Sequence, residues 1–351
     1  MNGSLSNTET QRPHILIIYT GGTIGMIENA ESGALEPFNF DHLIDNVPKI
    51  KRLDYDIDNF QFEVPLDSSA MTPDHWVQIV KVIEDNYDAY DGFVVLHGTD
   101  TMAYTASALS FMLENLRKPV VITGSQLPIG EVRTDGEENL ITALQVAAEK
   151  DTDGSPMVQE VAILFEDYLW RGNRATKHSS DNFNAFKSSH YPRLAKVGLG
   201  IRYRKSVMWR SEGTEPLRTH YSFDNHVMYL DLFPGISEAV VRHQLAAPGL
   251  KGVVMKTFGS GNGPTSGWFL EALKEAVDRG LVIVNVSQCD NGIVNPTRYL
   301  SGNVLTKAGV ISGHDLTSEA AITKLMFLFG QGLTPEQVKT EMEKPIAGEM
   351  D

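Results

Sequence analysis

Cysteine is nearly missing from this sequence. One thiol, Cys289, in 351 residues excludes an internal disulfide and fits a reducing compartment. Positive charge is scarce as well: 30 Lys and Arg stand against 45 Asp and Glu, a formal net charge of −15. That balance lacks the cationic face needed to displace counterions from nucleic acid, so no nucleic-acid partner is expected. Long apolar runs are absent. No stretch approaches the roughly 18 consecutive apolar residues of a membrane span. Met1 to Pro13 is polar and holds no signal-peptide core. The expectation is a soluble, cytoplasmic protein without a membrane partner. Its 10 histidines form no i, i+4 helical pair and no set with cysteine, so no metal centre is expected.

What is present is globular. Hydrophobic residues make up 42% and charged residues 21%, which excludes a disordered chain. The length exceeds one typical core and suggests two domains. The stretch Ile15-Leu16-Ile17-Ile18-Tyr19-Thr20-Gly21-Gly22-Thr23-Ile24-Gly25 sets the pattern. A near-continuous apolar run is the signature of a buried parallel strand. The glycines after it allow a tight turn that delivers Thr23 to the strand's carboxyl end, where ligands bind in open α/β sheets. By themselves these residues allow a structural turn, a phosphate cradle or a loop exposing a hydroxyl. They lack the spacing of a dinucleotide fingerprint and the Gly-Lys-Ser/Thr of a P-loop.

The pattern returns three times. Phe60, Phe62, Val64 and Leu66 alternate as one face of a strand that exits into Asp67-Ser68-Ser69. Gly92 to Leu96 runs into His97-Gly98-Thr99-Asp100-Thr101, and Val120 to Ile122 into Thr123-Gly124-Ser125. Helices fall between them: one starting at Thr72-Pro73 with Trp76, Val80, Ile83 and Tyr87 on one face, one over Met102 to Glu114, and one over Gly136 to Glu149. A weaker helix is expected from Phe38 to Val47. Alternating strands and helices predict a parallel sheet with helices on its faces. Hydroxyls and carboxylates at four exits of one sheet edge would share a pocket.

Beyond Pro192 the periodicity fades, and Arg193, Lys196, Arg202, Arg204, Lys205, Arg210 and Arg218 gather there as an interdomain linker or subunit contact. Strands resume at Val227–Phe233, Gly252–Lys256 and Leu281–Val286, with helices near 266–279, 317–329 and 335–343. The expected fold class is α/β: a larger N-terminal domain with a mostly parallel sheet flanked by helices (1–195), a linker (196–222), and a smaller C-terminal α/β domain (223–351). Gly259-Ser260-Gly261-Asn262-Gly263 is a glycine turn that could hold a phosphate or approach a neighbouring subunit. A Thr hydroxyl needs a nearby base to become a nucleophile. Lys177, in Arg171-Gly-Asn-Arg-Ala-Thr-Lys177, could serve if desolvated and held by Asp100; otherwise it is a surface cation.

Tyr19-Thr-Gly-Gly-Thr23-Ile-Gly, Asp67-Ser-Ser, Leu96-His-Gly-Thr99-Asp100-Thr-Met, Gly124-Ser-Gln and Arg171-Gly-Asn-Arg-Ala-Thr-Lys177 resemble, in order and spacing, the bacterial type I L-asparaginases. The resemblance runs from Ile15 to Leu333. It implies an L-asparagine amidohydrolase without metal or organic cofactor. Thr23 matches the nucleophile that forms an acyl-enzyme. Thr99, Asp100 and Lys177 match the second catalytic set: Lys177 and Thr99 handle the proton and water steps, and Asp100 also binds the α-ammonium. Ser68 matches the α-carboxylate site, and Asp67, Ser69 and Ser125 join the expected substrate-binding positions. Members form homodimers or homotetramers, and Asn262 matches a residue contributed across the subunit interface.

Two departures stand out. Family members usually carry a lid Tyr a few residues after the nucleophile, but the matching region here is Gly33-Ala34-Leu35. Some relatives are switched by a second asparagine bound at a C-domain Arg. Lys256 stands in its place, and Lys cannot make the two-pronged carboxylate contact of Arg. Thr176 and Cys289, also near that possible allosteric site, are retained. A mixed glutaminase–asparaginase and a weakly catalytic asparagine sensor are the alternatives. The related tRNA amidotransferase subunit carries an extra N-terminal domain, and with only about a dozen residues before the first strand here that reading is not expected.

Overall fold

The computed structural model describes residues 12–28, 35–37, 47–211, 213–295 and 300–351. In its first part, β1 (His14–Gly21), β2 (Asp56–Leu66), α1 (Pro73–Asp85), β3 (Gly92–Leu96), α2 (Met102–Met112), β4 (Val120–Thr123), α3 (Gly136–Ala148) and β5 (Val161–Phe165) follow in order. Then come β6 (Tyr168–Arg171), β7 (Ala195–Lys196) and β8 (Arg202–Tyr203). They form one 8-stranded sheet in the order β8-β7-β6-β5-β4-β3-β1-β2. The run from β2 to β5 is parallel, whereas β6, β7 and β8 return antiparallel.

The apolar run of β1 is explained by its two covered faces. Ile15, Ile17 and Tyr19 join Leu140 and Leu144 of α3 in one core. Leu16 and Ile18 join Trp76 and Ile79 of α1 and Ala106 and Leu109 of α2 in the other. Successive side chains of a strand alternate between faces, so every position must be apolar. Helix α1 starts as expected, with a Thr72–His75 capping box and Pro73 in its first turn.

The smaller part comprises β9 (Val227–Asp231), α4 (Glu238–Leu245), β10 (Gly252–Thr257), α5 (Gly267–Asp278), β11 (Val282–Ser287), α6 (Leu300–Lys307), β12 (Ile311–Ser312), α7 (Ser318–Gly330) and α8 (Pro335–Met342). Its sheet, β9-β10-β11-β12, is parallel throughout. Val241 of α4 and Phe269 and Leu273 of α5 pack on one face; Leu325 of α7 and Val338 of α8 pack on the other. The molecule therefore has the two-domain α/β architecture expected, a large N-terminal domain with a mostly parallel sheet and a smaller C-terminal one. Phe111 of α2 meets Phe327 of α7 at 6.0 Å between ring centroids, joining the two.

Three local readings change. Val64, expected on the buried face of β2, is 69% exposed. It lies in an irregular stretch, because the register with β1 shifts between Tyr19↔Gln61 and Gly21↔Leu66. Helix α2 stops at Met112 rather than Glu114, because Leu113–Glu114 pair antiparallel with Arg218–Thr219. Described parts of the 196–222 stretch are also bonded to the N-terminal domain. Lys196 and Arg202 pair at the sheet edge, and Arg210 donates to the Pro156 and Met157 carbonyls at 2.9 and 3.0 Å. Met26–Glu28 and Leu35–Pro37 pair antiparallel. Gly33 and Ala34 at the lid position, and the helix expected from Phe38 as far as 46, lie outside the described residues.

Candidate active site

Parallel strands point their carboxyl ends the same way, and the pairings Tyr19↔Leu96 and Leu96↔Thr123 bring the exits of β1, β3 and β4 to one edge. Glycine then closes the distance. Gly22 has φ 89°, and a Cβ there would sit 2.4 Å from the Gly98 nitrogen. A Cβ on Gly98 would sit 2.6 Å from Ser68 Oγ. The turns carrying Thr23 and Thr99 thus touch backbone to backbone, and the Ser68 side chain lies against Gly98, approaches that only residues without side chains permit.

Thr23 opens a single 3₁₀ turn, Thr23–Gly25, and is half-buried. The buried Tyr19 hydroxyl donates to the Gly25 carbonyl at 2.9 Å and so fixes the far end of that turn. Burial pushes the Tyr19 phenol up to about 12, which keeps it a donor at neutral pH.

Lys177 reaches this edge from the short strand Thr176–Lys177, which follows β6 and pairs antiparallel with Phe186–Lys187. Its Nζ donates to Thr99 Oγ1 at 2.7 Å and to Asp100 Oδ1 at 2.6 Å. The ammonium is largely covered, at 17% side-chain exposure, whereas Asp100 at 65% stays open to an incoming charge. A heavy-atom distance of 2.7 Å between Nζ and a hydroxyl is one across which a proton can move. Ser68 is buried, and Thr101 Oγ1 donates to its carbonyl at 2.7 Å. Asp67 caps the same turn by accepting from the Ser69 amide at 2.8 Å, which holds its carboxyl below the usual range. Ser125 is also buried but donates within its own turn, to the Leu127 carbonyl at 2.5 Å.

Two supporting residues had no role in the sequence reading. His97 is fully buried between Gly98 and helix α2. Its Nδ1 lies 2.6 Å from the Gly98 carbonyl and its Nε2 2.8 Å from Thr105 Oγ1, which accepts from Trp76 Nε1 at 2.9 Å. A carbonyl can only accept, so Nδ1 carries the proton and Nε2 accepts from Thr105. Burial pushes the imidazole down to about 4, so it is neutral and fixes the turn before Thr99. Asp135, directly ahead of α3, accepts from the Gln126 amide at 3.0 Å and the Leu127 amide at 3.1 Å. That shapes the turn after Ser125. An Asp at a helix start is a legible cap signal, but its partners eight and nine residues upstream are not.

The remaining expected residues lie elsewhere. Asn262 stays with the C-terminal sheet: its backbone pairs with Phe258 at 2.8 and 2.9 Å, and Asn285 Nδ2 holds the neighbouring Gly261 carbonyl at 3.0 Å. Thr176 points away from Lys177 and donates to Glu319 Oε1 at 2.6 Å. Lys256 is the last residue but one of β10, ion-paired with Asp231 at 3.2 Å and 5.7 Å from the Tyr229 ring centroid. Cys289 is exposed just after β11. Among the described residues, no three His, Cys, Asp or Glu side chains gather as a metal site, and no helix is long and apolar enough to cross a membrane.

Comparison with known proteins places the chain in a family. The profile described as "Asparaginase, N-terminal" matches residues 14–209. That described as "Glutaminase/Asparaginase C-terminal domain" matches 226–342. The chain is 43% identical to L-asparaginase 1 of Escherichia coli (strain K12), over 97% of this chain and 98% of that protein. It is 41% identical to the crystal structure of L-asparaginase I from Vibrio cholerae, with TM-score 0.88 over 97% of this chain and 99% of that one. A Mus musculus protein named 60 kDa lysophospholipase is also 43% identical, over 96% of this chain but 62% of its own length.

Proposed function

The chain belongs to the asparaginase family of amidohydrolases, and on that premise we propose that it hydrolyses L-asparagine to L-aspartate and ammonia through Thr23. The Thr23 hydroxyl attacks the side-chain amide carbonyl, its proton passes to the leaving amide nitrogen, and ammonia departs from an aspartyl ester. Water then attacks the ester, with Thr99 and Lys177 positioning it and handling its proton, which passes to the departing Thr23 oxygen as aspartate leaves. The backbone N–H groups of the glycine turns stabilise the developing oxyanion. Asp100, exposed beside Lys177, meets the α-ammonium, and Ser68 with Ser69 and Asp67 meets the α-carboxylate. Ser125 shapes the wall of the pocket. Asn262 completes the site from the partner subunit of a homodimer or homotetramer in the cytoplasm.

The observation that carries this reading is the Lys177 ammonium, 2.7 Å from Thr99 Oγ1 and 2.6 Å from Asp100, at the edge where the Thr23 turn meets Gly98. The test is ammonia release from L-asparagine and L-glutamine by the wild type, Thr23→Ala and Lys177→Met. Lys177→Met is expected to lower kcat by roughly 10²–10⁴-fold, the usual worth of a positioned proton-transfer group, and Thr23→Ala, which removes the nucleophile, to lower it at least as far. Comparable wild-type turnover of both amides would make the enzyme a mixed glutaminase–asparaginase. Binding of asparagine without turnover would overturn the enzyme reading.

A further inference from the structure

Residues 344–351 fold back onto the loop that leads into Lys177, and we propose that this contact positions the Lys177 ammonium against Thr99 and Asp100. The inference rests on the role of Lys177 proposed above. The Gly348 carbonyl accepts from Arg171 Nη1 at 3.0 Å and from Arg174 Nε at 2.8 Å. Asn173 Nδ2 donates to the Ala347 carbonyl at 2.9 Å. Arg174 also donates to Asp315 Oδ2 at 2.5 Å and to Asp351 Oδ1 at 2.8 Å, while the Asp351 amide donates to Asp315 Oδ1 at 3.2 Å. A guanidinium offers its donors in fixed directions within one plane, so a set satisfied this fully has one orientation. Tyr191 closes over both arginines, its ring centroid 4.2 Å from the Arg171 and 4.8 Å from the Arg174 guanidinium carbon.

The segment is itself fastened. Glu349 and Lys324 of α7 form an ion pair of 2.6 Å with both side chains at 0% exposure. The Glu349 carboxylate also accepts from the Ile346 and Ala347 amides at 3.0 and 2.8 Å. Lys324 Nζ spends further donors on the Met342 and Lys344 carbonyls at 3.2 and 2.5 Å. Burying an ion pair costs about as much desolvation as its attraction returns, so this one is poorly explained as a source of stability. It fixes position. Gly348 adds a steric requirement: its φ is 74°, and a Cβ there would lie 2.5 Å from Arg171 Nη1.

Only Ala175 and Thr176 separate Arg174 from Lys177. Ala175 is fully buried and Thr176 is bonded to Glu319, also on α7. The loop therefore has little slack, and a displacement of Arg174 passes to Lys177. An error of about 1 Å in a reacting group can cost 10²-fold in rate.

The experiment uses the full chain with Arg174→Gln, Arg174→Lys and Asp351→Asn, scored by steady-state ammonia release and by hydrogen exchange of the peptide containing 171–178. Arg174→Gln is expected to lower kcat by 10–100-fold with KM within threefold, and to speed exchange of the loop amides at least tenfold. Arg174→Lys should recover part of both. The Asp351 side chain is 71% exposed, so Asp351→Asn should fold normally and still lower kcat several-fold. It carries the test if Arg174→Gln does not fold. Unchanged kcat, or unchanged loop exchange, in the folded Arg174→Gln or Asp351→Asn protein would overturn the proposal. A wild type inactive on asparagine, or a Lys177→Met protein with full activity, would instead refute the reading on which it rests, while exchange would still report whether the segment holds the loop.

Discussion

Replacing Gly98 with alanine is expected to weaken asparagine binding by about as much as it destabilises the protein. The added Cβ would lie 2.6 Å from Ser68 Oγ, 2.8 Å from Ser68 Cβ and 3.3 Å from Ser68 N. Non-bonded carbons settle near 3.5–4.0 Å, so Ser68 must retreat by about 1 Å. A rotamer change cannot supply this, because Cβ clashes as well as Oγ. The Ser68 carbonyl is tied to Thr101 at 2.7 Å, so the whole 68–70 turn must shift. Overpacking of this kind costs about 1–3 kcal/mol of stability. A hydrogen bond to the charged α-carboxylate is worth about 1.5–3 kcal/mol, which at 1.4 kcal/mol per tenfold raises KM by roughly 10–150-fold. The assay is ammonia release over a wide range of asparagine concentration, run beside thermal melting. A parallel Ser68→Ala protein should show a KM of similar size. A Gly98→Ala protein that folds and keeps its KM within twofold would refute both the contact and the role of Ser68.

Two further predictions concern titration and regulation. Burial holds His97 at about 4 in the folded protein against 6.5 when free. The unfolded chain therefore takes up a proton first, and this residue's contribution to stability is lost as pH falls from about 6.5 to 4, by up to about 3 kcal/mol at 1.36 kcal/mol per unit. Urea unfolding of wild type and His97→Asn across that window should show a flatter dependence for the variant; equal slopes would remove His97 from the account. Lys256 is engaged by Asp231 at 3.2 Å and carries no planar fork for a carboxylate, so the rate should depend hyperbolically on asparagine. A sigmoidal dependence abolished by Lys256→Ala would show that the site still switches.

Much of this architecture is written locally in the sequence, and the reason is directional. Ile15 to Tyr19 can be apolar at every position only if both faces are covered, which calls for a parallel sheet. Parallel strands in turn share one carboxyl edge. Once that is granted, Thr23, Ser68 and Thr99 must be neighbours, and Gly22 and Gly98 set how near. Val64 escaped because register, which alternation assumes to be regular, shifts between Gln61 and Leu66. His97 escaped for another reason: its partner Thr105 lies on one helix and the Trp76 that bonds Thr105 on another, and a histidine in a polar motif looks the same whether buried or exposed.

The loop ending in Lys177 is the harder case, because its position comes from pairs far apart along the chain. Arg171 and Arg174 read as an ordinary basic loop, yet both meet Gly348, 177 and 174 positions away. Lys324 reads as one more helix cation, yet it is fully buried on Glu349. Such contacts leave no periodic trace, since a satisfied buried charge and a solvated one are the same letter. What the sequence does carry is composition out of place: two arginines three residues apart directly after a sheet strand, in a chain short of positive charge. Two guanidiniums so close repel each other unless acceptors face them. Those acceptors are the Gly348 carbonyl, Glu160, Asp315 and Asp351, and they come from both domains. The segment leading to Lys177 is thus held by the joint between the domains as much as by the sheet that carries Thr99 and Asp100.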